Sequence, residues 1–216
     1  MKKKLTVVFI FVSAMMFAQK RSTIALTYGT HLYDNSLLGQ VNTLDSFQIG
    51  LPTQHIGFGG NGHFVTNQKV AFAGHFILAK YLPQQISLND STNAKLSGSS
   101  FGFGYGFDCL NKVENFDFIL SAGLNFGRMK ITQATNSTTG EKVDLSVKNM
   151  FISPKASAML IFYIKSISLS FNAEYGYDIS ASGWKRKIIG GEESSLDLPS
   201  YNQSGLGFSV ALGWAF

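Results

Sequence analysis

Apolar and polar residues alternate along most of this chain, and the alternation is sharpest between Gly98 and Arg128. Phe101, Phe103, Tyr105 and Phe107 take every second position there, separated by Gly102, Gly104 and Gly106. After a short polar stretch, Phe116, Phe118, Leu120, Ala122, Leu124 and Phe126 alternate with Asp117, Ile119, Ser121, Gly123, Asn125 and Gly127. Side chains of a strand point to opposite faces with a period of two, so each half has one greasy face and one small or polar face. The pair predicts a hairpin turned by Asn111 to Asn115. A soluble sheet buries such aromatics in a core. A membrane barrel turns them toward lipid and lines its interior with the small and polar residues.

The same period predicts six further strands, over Ser22–Tyr33, His55–Val65, Val70–Tyr81, Lys148–Tyr163, Ile167–Ile179 and Gly205–Phe216. Pro83 is expected to end the third strand of the chain, because proline cannot donate to a sheet ladder. Asp34–Thr53, Gln84–Ser97, Thr132–Ser146 and Ser180–Gln203 are polar and read as long loops. Thr66–Lys69, Asn111–Asn115 and Ile164–Ser166 are short turns. Eight strands whose connections alternate long and short, beginning with a long one, have the layout of an up-and-down outer-membrane barrel. The expected fold is therefore all-β: an eight-stranded antiparallel transmembrane barrel with short periplasmic turns and long extracellular loops. Both chain ends then fall on the periplasmic side.

The opening segment MKKKLTVVFIFVSAMMFAQ changes the charge argument. Three lysines precede an apolar run that is too short to span a bilayer, which needs about 20 residues. This order reads as a secretory signal peptide over residues 1–18, leaving 19–216 as the barrel domain. With Lys2, Lys3 and Lys4 removed the net charge falls from +5 to +2, so the basic character belongs mostly to the leader. It gives no support for a nucleic-acid partner, which would meet a basic patch. Cys109 is the only cysteine, so no internal disulfide forms.

On this pattern the chain resembles the small eight-stranded outer-membrane barrels of Gram-negative bacteria, the OmpA/OmpX-like group in the broad sense. The resemblance covers nearly all of residues 19–216. It implies the outer membrane as location, lipid and lipopolysaccharide as surroundings, and a monomer. It also implies that the barrel-assembly machinery reads the last strand. There the family has a polar residue, a glycine and a terminal aromatic pair; this chain has Ser209, Ala211, Trp214 and Phe216, with alanine in the glycine position.

Eight strands make a barrel just wide enough for side chains to fill, so a wide pore is not expected. The inward register holds His31, His55, His63, His75, Asp108, Asp117, Lys155, Glu174 and Asp178. His31 and His55 lie near the loop-side ends of neighbouring strands, but zinc takes three or four ligands and no third is evident, so they read as hydrogen-bonded lumen histidines. Asp108 and Asp117 flank the central turn; two close carboxylates can share a proton or bind a cation, but the reading preferred is that both reach water at the barrel mouth and stay ionised. Trp184-Lys185-Arg186-Lys187, with Glu192 and Glu193, reads as a solvated charged loop. Arg128 and Lys130 fall at an outward strand end, where long cationic side chains snorkel to the interface. Pairing Leu160 with Leu169 sets inward Lys155 opposite Glu174, near mid-height, and predicts a lumen ion pair.

No catalytic triad, nucleotide loop, metal cluster or cofactor site is read from these residues. The function expected is structural or surface-interacting, through the extracellular loops, without enzymatic chemistry. A binder or lateral conduit for small apolar molecules is the first alternative, since the glycines of His55–Phe64 could leave a gap in the lumen. A lipid-modifying outer-membrane enzyme is the second. One prediction follows from the last strand. Deleting Trp214 to Phe216 should abolish membrane assembly, read as loss of the heat-modifiable band on a gel. Trimming within Asp34–Thr53 should leave that band intact, because surface loops tolerate change.

Overall fold

A computed structural model describes residues 21–33, 54–65, 71–87, 92–110, 113–137, 140–180, 184–188, 193–196 and 203–216. The expected leader, the 34–53 loop and the 66–69 turn lie outside the described residues. The strands are β1 (Ser22–Tyr33), β2 (Gln54–Val65), β3 (Ala71–Ser87), β4 (Thr92–Asp108), β5 (Phe116–Ser137), β6 (Gly140–Ile164), β7 (Ile167–Gly176), β8 (Trp184–Ile188), β9 (Glu193–Leu196) and β10 (Gly205–Ala215). Eight of these described strands close a ring: β1 to β7 in sequence, then β10, which pairs with both β7 and β1. Every neighbouring pair in it is antiparallel. At the seam, Ser22 and Phe216 exchange two backbone hydrogen bonds of 3.0 Å.

The alternation sorts as an inside-out protein requires. Leu26, Tyr28, Tyr105, Phe107, Leu120, Phe171, Phe208, Val210, Leu212 and Trp214 are all exposed on the outer wall. There they pack edge to edge; Phe72, for example, stacks on Tyr105 with ring centroids 5.5 Å apart. The intervening residues face inward, and many are polar and buried, among them Asn61, His75, Ser100, Ser153, Lys155 and Ser157. An apolar wall around a polar interior suits hydrocarbon outside the barrel. Closure also leaves no unpaired strand edge in the lipid.

Several expected boundaries differ, and β7 ends at Gly176 rather than Ile179. Pro83 does not end β3: the pairing steps from Tyr81–Gly98 to Gln84–Leu96, and this irregularity takes up the residue that cannot donate. The expected loops Gln84–Ser97 and Thr132–Ser146 are largely strand, so the β3–β4 and β5–β6 hairpins run well beyond the roughly 9–11 residues that cross a bilayer. Their polar composition hid an alternation, as in Val143, Leu145 and Val147. Within Ser180–Gln203, β8 and β9 form a hairpin that pairs with β6 at Leu145–Lys148 and extends the wall at its loop end.

The β6–β7 register is a further correction. Leu160 faces Phe171 rather than Leu169, and Lys155 faces Gly176 rather than Glu174. The turn occupies Lys165–Ser166, with Lys165 at φ 57°. Starting it one residue earlier, as the expected register requires, would force β-branched Ile164 into the left-handed region, which such residues avoid. Moving a hairpin turn by one residue moves the pairing by two, so inward residues stay inward.

A lipid-facing wall makes a depth-dependent prediction. Val210 lies midway along β10, between Tyr28 and Phe171. Val210→Arg should cost about 2–4 kcal/mol in denaturant unfolding from vesicles, whereas Ile164→Arg at a strand end should cost about 0–1 kcal/mol. Equal costs would place the hydrocarbon band elsewhere on the wall.

Candidate functional site

Two clusters of ionisable side chains occupy the lumen. The first is central. Lys155 from β6 reaches diagonally to Glu174 on β7, with Nζ donating to Oε2 at 2.8 Å. A diagonal neighbour across an antiparallel pair is within reach of long side chains, so the two-residue register change leaves this contact possible. Asn172 Nδ2 donates to the same carboxylate oxygen at 3.3 Å. The lysine side chain is 4% exposed and the glutamate 22%. Both line a small cavity of about 60 Å³ with mixed walls, together with His55, His75, Asn172, Ile77 and Met159.

Glycines on the inner face make this packing possible rather than leaving a gap. The His55 ring lies over Gly29 and the His75 ring over Gly104, so closely that a β-carbon at either glycine would overlap the imidazole. Gly207 gives the same room to Glu174 and His31. Elsewhere Ser121 and Ser157 hydroxyls pair at 2.7 Å, and Thr23 donates to Asn61 at 2.6 Å. Of the β2 glycines, Gly57 lies against Ile77 and Gly60 against Phe76, while Gly59 and Gly60 also line the 60 Å³ cavity.

The second cluster closes the turn end. His63 comes from the end of β2, Asp108 from the last position of β4, Asp117 from the start of β5, and Tyr163 from the end of β6. His63 Nε2 lies 3.5 Å from Asp108 Oδ2 and 3.4 Å from Asp117 Oδ2. Tyr163 donates its hydroxyl to Asp117 Oδ2 at 2.5 Å. Asp108 is further held by its other oxygen, which accepts from the backbone N–H of Leu110 at 3.0 Å and of Phe118 at 3.2 Å. The Arg21 guanidinium lies 4.7 Å over the Tyr163 ring. These two carboxylates are therefore not at a wet mouth. His63 is fully buried, with Asp117 at 2% and Asp108 at 5% exposure.

The other sequence-marked residues have plainer settings. Asp178 shapes the loop end, where its carboxylate accepts from Ser180 and from the Gln203 backbone at 3.0 Å. His31 and His55 sit on different glycines and belong to no three-donor cluster among the described residues; the one such cluster there is His63, Asp108 and Asp117. Arg128 is exposed on the outer wall. Trp214 and Phe216 face outward and exposed on β10, with Ser209 and Ala211 between strands on the inner face.

The fold is shared with a solved structure, a major outer membrane protein from Thermus thermophilus. The identity is 8%, the TM-score 0.58, and the match covers 90% of this chain and 98% of that one. This chain has the eight-stranded fold of an outer-membrane β-barrel. Looser matches are Ail, the attachment invasion locus protein of Yersinia pestis (15% identity, TM-score 0.45, 91% and 99% covered), and the outer membrane protease OmpT of Escherichia coli (9%, 0.39, 93% and 97%). No protein-family model and no curated sequence matches the barrel. At these identities the likeness concerns fold alone.

The central pair generates the next prediction. Glu174→Gln leaves a buried ammonium without its counter-charge and should destabilise the barrel by about 3–5 kcal/mol, toward the lower end because Glu174 keeps some exposure to the cavity. Replacing both residues by apolar ones of similar volume should cost much less. Denaturant unfolding of all three proteins in the same detergent checks the contrast.

Proposed function

We propose that this barrel acts as a closed outer-membrane scaffold, with a structural or surface-interaction role carried by its loop end. The observation that carries the reading is the packed middle of the lumen, where the described side chains around Lys155, Glu174 and His75 leave a cavity of only about 60 Å³. The β3–β4, β5–β6 and β8–β9 hairpins carry sheet beyond the length that lipid requires, and a stiff projecting surface suits contact with other molecules. Outer-membrane lipid and lipopolysaccharide are the immediate partners in this reading. The assembly machinery is a third, meeting Ser209, Ala211, Trp214 and Phe216 at the last strand.

Reconstitution in a planar bilayer tests the closed lumen. The expected record has no stable open-channel steps at any applied voltage. Replacement of Lys155 and His75 together by alanine should make steps appear, because those side chains adjoin the cavity. Porin-sized conductance from the unaltered barrel would overturn the reading.

A further inference from the structure

We propose that His63, Asp108 and Asp117 form a binding site for a divalent transition-metal cation, of which Zn²⁺ is the probe of choice, fastening β2, β4 and β5 together at the turn end of the barrel. The donor atoms of the three side chains all lie within 4.8 Å of one another. Ligands about 2.0–2.1 Å from a tetrahedral ion are roughly 3.3–3.4 Å apart. The two His63–carboxylate separations, 3.4 and 3.5 Å, are close to that spacing.

The tautomer of His63 is an independent indication. Its Nδ1 lies 3.1 Å from the carbonyl oxygen of Arg21, which can only accept, so Nδ1 carries the proton. In the neutral ring, Nε2 then presents a lone pair. That atom is fully buried, has no hydrogen-bond partner of good geometry, and is aimed at the two aspartates. A backbone carbonyl that fixes one imidazole nitrogen while the other faces carboxylates is the arrangement by which proteins orient metal-binding histidines.

The carboxylates are similarly held. Two backbone N–H groups fix one oxygen of Asp108 and leave Oδ2 toward His63. The Tyr163 hydroxyl fixes Asp117. One imidazole with two carboxylates suits first-row divalent ions, and their two negative charges would balance the ion. A water can supply the remaining coordination, while the Tyr163 hydroxyl stays on Asp117. The competing arrangement needs no ion: a second proton on His63 makes an imidazolium that bridges both carboxylates.

The experiment uses residues 19–216, untagged and carrying Cys109→Ser, because the exposed thiol of Cys109 is itself a zinc ligand. The refolded barrel, stripped with chelator in detergent, is titrated with Zn²⁺ and measured for bound metal and thermal unfolding. One equivalent should bind and raise the unfolding temperature. In Asp117→Asn and His63→Gln the affinity should fall at least tenfold, with the heat-modifiable band retained. If a variant does not fold, Co²⁺ added to the unaltered barrel serves instead, and visible absorption of a four- or five-coordinate nitrogen–oxygen site is expected. Absence of stoichiometric zinc, zinc binding untouched by both substitutions, or cobalt that stays six-coordinate and hydrated would each overturn the site and favour the imidazolium bridge.

Discussion

Closure of β10 on β1 is the constraint on which the rest of this structure depends. Lipid offers backbone N–H and C=O groups no partner, and each one left unpaired there costs several kcal/mol. A sheet of these strands is therefore tolerable in a membrane only as a ring. The paired hydrogen bonds between Ser22 and Phe216 carry the ladder across the seam. Once the ring closes with eight strands, its bore is fixed, and every inward side chain competes for the same narrow space.

That competition explains the composition of the inner face. Imidazoles, a lysine, a glutamate and large rings cannot all fit if each neighbour also carries a side chain. Glycine beneath a ring is the solution repeated at Gly29 with His55 and at Gly104 with His75. Filling the bore in this way places charges where water is scarce, so they must be paired. Lys155 meets Glu174 for this reason, and Asp108 and Asp117 accept from backbone N–H groups and from the Tyr163 hydroxyl. A packed lumen and an ionic lumen are two results of one geometric limit.

The architecture is legible because a period of two in the sequence maps directly onto wall and bore. Parity survives errors that position does not. Placing the β6–β7 turn one residue early shifts the pairing by two, yet Lys155 and Glu174 stay on the inner face. Strand ends are less legible. Pro83 and the polar runs after Gln84 and Thr132 look like interruptions when propensity is weighed alone. A local irregularity absorbs the proline, however, and a partner strand stabilises the rest. Polar residues can continue a strand once it has left the lipid, because both of its faces may then be wet.

The turn-end cluster is illegible in the sequence for a different reason. Lys155 and Glu174 come from adjacent strands, so a hairpin argument reaches them. Asp117 is a diagonal neighbour of Asp108 on one side and of Tyr163 on the other, but His63 comes from β2, separated from Asp108 by β3. No pairing rule joins His63 to the aspartates; only the curvature of a closed, narrow ring does. Asp108 and Asp117 alone look like two carboxylates at a wet turn, and His63 alone looks like one more lumen histidine. Across the bore the same three residues become a buried anionic pair facing an imidazole nitrogen. The small bore that excludes a pore therefore also builds this cluster, because a wider barrel would hold the same side chains too far apart to share a charge.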